Sequence, residues 1–341
     1  MRRIIILVLA LVLFGGCSKP APPSLVPENP LVLINGEAVP DSEVFLALRL
    51  TIESFGTFGS EFIDWDGEID GEPSRGYIRR QALDRVAECR AISAGADKLG
   101  CSLTAGELAE IDEFLAQEAE FSGGVDAFAK LINERYGPLE QYRFYMHEIP
   151  YLVDKLSAKL FSEGGPYEPS ARDLEEYYSK NFTNCAYILL SALDDDGYPL
   201  EGAELETMRS VAEALRKQAL EGAPFFELVA EHGQDYLMTI YPEGHPVPSG
   251  IHGAAFDAAL SGLPVNGISD VILSDDSFYV IKRLPEQLGY LEDEDNYYEV
   301  LDAYITDKRQ EIIDGWSAEL TVVPSQAFNE LDPALYEPGL G

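Results

Sequence analysis

The chain has 341 residues, 46% of them hydrophobic and 11% aromatic, enough apolar surface for real cores, so wholesale disorder and low-complexity or collagen-like classes are excluded and two domains are expected. Sixty Asp and Glu against 24 Lys and Arg leave a formal charge of -36, a field that repels phosphate backbones, and nucleic acid is not an expected partner. Four Cys are too few for a disulfide scaffold, and with no CxxC pair or Cys/His cluster at zinc-like spacing neither a metal nor another cofactor is expected.

In chain order, Met1-Arg2-Arg3 is a short positive segment, and residues 4–14 (IIILVLALVLF) form an apolar run too short to span a membrane comfortably. Residues 1–16 therefore read as a signal peptide. The run closes on Phe14-Gly15-Gly16-Cys17, which resembles the lipobox of bacterial lipoproteins, with Phe14 where that family usually has Leu. The resemblance implies that Cys17 is diacylated and becomes the mature N-terminus, and two acyl chains suffice for stable anchoring. The alternative is an ordinary secretory signal with a coincidental Cys. Loss of Arg2 and Arg3 takes the charge from -36 to -38 (-36 minus 2). Residues 18–30 carry five Pro and no helical period, so residues 17–30 make an extended, lipidated tether.

Leu31-Val32-Leu33-Ile34 predicts a short buried strand, Asn35-Gly36 a tight turn, and Pro40-Asp41-Ser42-Glu43 the start of a helix with a capping-type residue. From Tyr77 to about Phe161 apolar residues recur every three or four positions, with breaks near Gly100, Gly123-Gly124 and Gly137-Pro138. This is a helical segment, and Thr104 with Glu107 has capping-box spacing. After Gly164-Gly165-Pro166 comes another capped helix over 168–178. The pattern then changes: a strand over 186–190, helices over 202–220, 226–231 and 256–263, strands over 271–273 and 279–282, and a hairpin turn at Asp275-Asp276-Ser277. A compact α+β module is expected over 183–285. A long helix over 293–318 and a strand over 320–323 close the chain. The strands 31–34 and 320–323 each need a partner edge, so segments 31–161 and 286–323 are expected to pack together.

The module resembles the parvulin class of peptidyl-prolyl isomerases. Ala186-Tyr187-Ile188-Leu189-Leu190 stands at the family's opening strand, Gly222 to Ala230 at its Phe-bearing helix, His232-Gly233-Gln234-Asp235 at its Tyr-Ser-x-Asp, and Phe256-Asp257-Ala258-Ala259, Leu263 and Gly267-Ile268-Ser269 at its Phe-Glu-x-Ala, Leu and Gly-x-Ile-Ser signature. With the lipobox, an "INGE" strand and helix, and the closing long helix, nearly the whole mature chain resembles foldase lipoproteins of the PrsA and SurA type. The resemblance implies an α+β fold in which a SurA-like helical chaperone domain, built from an N-terminal segment (31–182) and a C-terminal one (286–341), carries an inserted parvulin-like domain (183–285). It also implies a membrane-anchored, extracytoplasmic chaperone whose partners are unfolded or partly folded exported polypeptides.

Parvulins surround the prolyl amide with two His and a Cys or Asp. The two His positions are Tyr187 and Tyr279 here, and the Cys-or-Asp position falls on Tyr236, with Asp235 able to stand in only if the loop shifts by one residue. These phenols either rebuild a hydrogen-bonded set, since a phenol donates and accepts, or are core aromatics of a module that has lost catalysis. The second reading is preferred, because Tyr is a common strand residue and no basic group compensates; an active isomerase with substituted residues is the alternative. For substrate binding, Phe256 matches the family's ring-contacting Phe, and Ile251 or His252 falls at a family Met. His252 as a general acid/base is the lesser reading beside packing, and Leu237 and Met238 read as ordinary packing. His147, His232 and His245 lack ligand spacing. Asp64, Asp66, Glu68, Asp70 and Glu72 have a calcium-loop flavour, but Ile69 stands where Gly is needed, so a solvated acidic loop is expected. Asp194-Asp195-Asp196 disfavours a phosphoprotein substrate by charge. Cys89 and Cys101 read equally as a bridge or as buried thiols.

Overall fold

The computed structural model describes residues 29–55, 63–194 and 196–336; the signal peptide, Cys17 and the tether up to residue 28 lie outside the described residues. In chain order, β1 (Val32–Ile34) and β2 (Glu37–Ala38) form a hairpin. Its turn residues Asn35 and Gly36 have φ of 52° and 84°, the left-handed conformation these two residue types tolerate best. α1 (Asp41–Glu53) has no side-chain cap; instead Asp41 accepts from the Leu31 amide at 3.4 Å, tying the helix start to the strand. The acidic loop is folded as a hairpin, β3 (Glu68–Ile69) with β4 (Glu72–Pro73). Its acids have basic partners, Asp66 with Arg75 at 2.9 Å and Glu72 with Arg80 at 3.0 Å. Helices α2 (Ser74–Leu99), α3 (Ala105–Phe121), α4 (Val125–Arg135), α5 (Leu139–Arg143) and α6 (Ile149–Phe161) follow, with one π-helical turn at Phe144–Glu148. α3 starts in the expected reciprocal box, with Glu107 also bonded to Lys155 Nζ at 2.7 Å.

Then come α7 (Ala171–Asn181), capped reciprocally by Ser170 and Asp173, β5 (Phe182–Ser191), α8 (Gly202–Leu220), α9 (Phe225–His232), α10 (Tyr236–Ile240), β6 (His245–Pro248), α11 (Gly253–Gly262), β7 (Ile272–Ser274), β8 (Ser277–Arg283), α12 (Glu294–Ala318) and β9 (Val322–Pro324). The architecture is α+β, as expected. It divides into a unit formed by residues up to Leu160 and from Arg309 onward, and a unit of residues Phe161–Lys308.

In the first unit the two ends of the chain share one sheet, β2-β1-β9, with Val32 opposite Pro324 and Ile34 opposite Val322. The C-terminal segment also packs on the helices: Trp316 lies so close to Gly95 that a Cβ there would clash with its ring, and Gln310 donates to Glu88 at 3.2 Å. Leu46, Leu48, Ile52, Ile78, Ile111 and Leu156 are fully buried. Glu43 is a buried carboxylate held by Arg90 and by the Tyr145 hydroxyl, the pairing such a charge requires. Cys89 and Cys101 are buried and unbridged, and burial pushes the Cys89 thiol up to about 12.

The second unit is built on an antiparallel sheet of order β6-β5-β8-β7. β5 and β8 pair over seven positions, from Cys185 opposite Arg283 to Ser191 opposite Ser277. Tyr187, Ile188, Phe278 and Ile281 pack with Leu215 of α8, Leu228 of α9 and Phe256 of α11 in one core. A smaller core joins Leu174, Tyr178, Phe182, Tyr290 and Val300, with Tyr178 and Tyr290 stacked at 5.0 Å. The unit so formed, Phe161–Lys308, runs past 183 and 285 at both ends. α7 and the first part of α12 belong with the sheet, because their aromatic faces cover the base of β5.

Candidate functional site

Side chains alternate across a strand, and residues facing each other across an antiparallel pair share a face. Tyr187 on β5 is opposite Ile281, and Tyr279 on β8 is opposite Leu189, so the two tyrosines are diagonal neighbours on one face, ring centroids 5.8 Å apart. Both are buried. α11 crosses this face and delivers Phe256, 5.6 Å from Tyr187 and 5.0 Å from Tyr279. One helical turn earlier, at the N-cap of α11, stands His252, its ring 4.8 Å from Tyr187, 4.7 Å from Phe256 and 5.4 Å from Tyr279. Four rings thus pack against one another.

Two polar contacts tie this cluster to the surrounding loops. The Tyr187 hydroxyl donates to Asp235 Oδ2 at 2.5 Å, while Asp235 Oδ1 caps α10 by accepting from the Leu237 amide at 2.7 Å. The loop ahead of Asp235 is pinned to β5, since Gln234 N donates to Leu189 O at 2.9 Å and Gln234 Oε1 accepts from Ser191 N at 2.7 Å. The Tyr279 hydroxyl lies 3.4 Å from His252 Nδ1, and His252 Nε2 is buried with no hydrogen-bond partner. Burial, reinforced by Asp235, pushes the Tyr187 phenol far above its ordinary range. Burial also raises Tyr279 and lowers His252, the latter against the pull of Asp235. At neutral pH the site holds two protonated phenols and a neutral imidazole.

Of the residues proposed from sequence, Tyr187, Asp235, Tyr279, His252 and Phe256 come together, while Tyr236 and Ile251 do not. Tyr236 is 76% exposed on α10, while Asp235, the residue able to stand in if the loop shifts by one, makes the contact with Tyr187. Ile251 is 60% exposed, and the ring against Phe256 is that of His252. Phe256 itself is 0% exposed. It is a core side chain beneath His252 and the tyrosines, and not the open wall of a pocket. Sequence reasoning held that no basic group compensates for the lost His pair; His252 touches both phenols. The signal was present, because His252 and Phe256 are four positions apart and that spacing places one side chain over the other at a helix start.

No family model matches the chain, and no curated protein matches it. Among solved structures, the chain is similar to a foldase protein PrsA of Streptococcus pneumoniae, with 17% identity, 77% of this chain and 96% of that chain covered, and a TM-score of 0.35. It is similar to a SurA-like chaperone of Campylobacter jejuni, with 12% identity over 87% of this chain and 100% of that one and a TM-score of 0.29. It is also similar to the parvulin of Nitrosopumilus maritimus, with 21% identity over 31% of this chain and 98% of that one and a TM-score of 0.24.

Proposed function

We propose that the chain is an extracytoplasmic folding chaperone for unfolded or partly folded exported polypeptides, anchored through a lipid on Cys17, with a parvulin-like module of weak or absent isomerase activity. The ordered motif matches over 183–285 support the module, and the lipobox supports the anchor. One observation carries the loss of activity: the prolyl site is filled from within. Phe256 is wholly covered, and the Tyr187 hydroxyl is committed to Asp235. Isomerising an X-Pro bond means lowering a barrier of about 20 kcal/mol, which requires polar groups free to stabilise a twisted amide. Phenols held protonated and packed on other rings offer little of that.

A second reading, an active isomerase with substituted residues, is favoured by Asp235 lying on Tyr187 and by His252 lying between the phenols, an acid, phenol and imidazole in one cluster. The test has two arms on the mature chain: suppression of aggregation of a reduced, unfolded exported protein, and cis–trans exchange of a short X-Pro peptide. The proposal expects suppression without accelerated exchange, and accelerated exchange establishes the second reading. Failure to suppress aggregation overturns the chaperone assignment. For the anchor, Cys17→Ala is expected to release the protein from membranes into the soluble fraction, and persistent membrane association contradicts the lipid.

A further inference from the structure

We propose that His252 is the residue that decides what the parvulin-like site admits: its ring is a displaceable plug over Phe256, and a proline-bearing polypeptide enters only when that ring turns out to solvent. The inference rests on the reading of 183–285 as a polypeptide-binding module, and it deepens that reading. Four observations converge on it.

The first is position. The His252 ring packs within 5.4 Å of three other aromatic rings, centroid to centroid, and is the only half-buried member of a cluster whose other members are buried. It is the outer layer. A small apolar ring put in its place would meet the same aromatic surfaces, Phe256 below and the two tyrosines beside it, and aromatic faces of this kind suit a prolyl ring.

The second is an orphaned polar atom. The Tyr279 hydroxyl and His252 Nδ1 lie 3.4 Å apart, and Nε2 is buried with no partner whichever ring nitrogen carries the proton. A buried polar nitrogen without a partner opposes the state that buries it, whereas an outward rotamer gives the same nitrogen to water. The plug is therefore held by ring packing and the one long contact with Tyr279, and is weakened by its own chemistry.

The third is the backbone around it. Gly250 and Gly253 flank His252 with φ of 92° and 80°, and a Cβ at Gly253 would strike Ser274 Oγ and the Asp275 carboxylate. The His252 backbone is pinned on one side by Ser274 Oγ, which donates to its carbonyl oxygen at 2.6 Å. The anchored backbone leaves the side-chain torsions as the moving part, with the exposed Ile251 beside it as an apolar rim.

The fourth is charge. The groups facing His252 are Asp235 at the start of α10, His245 on β6, Asp257 on α11, Asp275 in the β7–β8 turn, and the two phenols. Three carboxylates against one imidazole favour a cation there, but burial wins and holds the plugged ring neutral. Protonation therefore favours the outward rotamer, where the cation is hydrated and still close to the acids. As pH falls below the ordinary imidazole value of 6.5, the open state gains population.

The experiment measures binding of a fluorescent Ala-Leu-Pro-Phe peptide, and of its Ala-Leu-Ala-Phe control, to the full mature chain at about pH 7.5 and about pH 5.5, on either side of the imidazole value. His252→Ala is expected to bind the proline peptide about tenfold tighter than wild type at the higher pH, the scale of relieving one orphaned buried polar atom. His252→Phe, which keeps a ring in place with nothing to protonate, is expected to show no gain at either pH. Wild type is expected to tighten at the lower pH while both variants stay flat, and the control peptide to gain nothing. His252→Ala binding no tighter than wild type overturns the plug, as does an equal pH response in all three proteins. If His252→Ala fails to fold, the pH response of wild type against His252→Phe decides the question alone. Loss of aggregation suppression by wild type would instead strike the chaperone reading, and it is scored in a separate assay.

Discussion

Replacing Phe256 by Ala separates a core side chain from a binding wall. Phe256 is 0% exposed and touches His252, Tyr187 and Tyr279 at centroid distances of 4.7, 5.6 and 5.0 Å. Truncating such a residue removes its buried area and leaves a cavity that its neighbours fill only in part, at a cost of about 3–5 kcal/mol. A domain holds roughly 5–15 kcal/mol in total, so the variant should sit close to its unfolding threshold. Both tryptophans, Trp65 and Trp316, lie in the helical unit, so their fluorescence does not follow the sheet, and hydrogen exchange of β5 and β8 amides is the better assay. Protection there should fall by the full amount of the truncation. If Phe256 instead lined an open pocket, its loss would weaken proline-peptide binding and leave protection within about 1 kcal/mol of wild type. That outcome would make Phe256 a binding wall and not a core side chain.

Tyr187→Phe keeps the ring and removes a hydrogen bond to a carboxylate, so it should lose about 1.5–3 kcal/mol; a double-mutant cycle with Asp235→Asn in urea unfolding should show matching coupling, and additive losses would contradict the pair. Gly95→Val should drive a side chain into the Trp316 ring, costing about 1–3 kcal/mol by overpacking and shifting Trp emission; an unchanged spectrum would contradict the docking of the C-terminal segment on α2. Glu107, bonded first to Lys155 and then to Thr104, has its carboxyl held at about 2 against an ordinary 4.5. A depressed acid contributes stability above its unfolded value and loses it as pH falls through its folded one, so that contribution should fade between those two values. A carbon-detected titration of Glu107 near its ordinary value in wild type, or one that Lys155→Met fails to raise, would contradict the contact.

Much of the fold was legible because its signals are local. Asn35-Gly36 at one turn, Thr104 with Glu107 at one helix start and Ser170 with Asp173 at another act within four residues of chain, and the structure forms each. β6 was missed, because His245-Pro246-Val247-Pro248 carries two prolines and proline is tolerated only where a strand needs few donors; as an edge strand on β5 it meets that condition. That the segments carrying β1 and β9 pack together was inferred from two strands lacking partners, although the pairing of those strands in one sheet was not. At the site, the two tyrosines and Phe256 were found through the order of motifs. What failed was the reading of exposure. Whether Asp235 or Tyr236 faces Tyr187 depends on how α10 leaves the loop, and the Asp235 cap decides it by turning the carboxylate inward and the next side chain out. Whether Phe256 is wall or core depends on the ring above it, which is a matter of packing between α11 and the sheet and not of any one segment's sequence.

The measurement that bears most directly on the account is magnetisation-exchange NMR of a proline tetrapeptide with a catalytic amount of the mature chain. Uncatalysed interconversion takes tens to hundreds of seconds, and a site filled by His252 over Phe256 predicts a rate within about twofold of that baseline at neutral pH. Acceleration of about a hundredfold or more, abolished by Tyr187→Phe or Asp235→Asn, would contradict a filled, inactive site and make the phenol and its carboxylate the working groups of an isomerase.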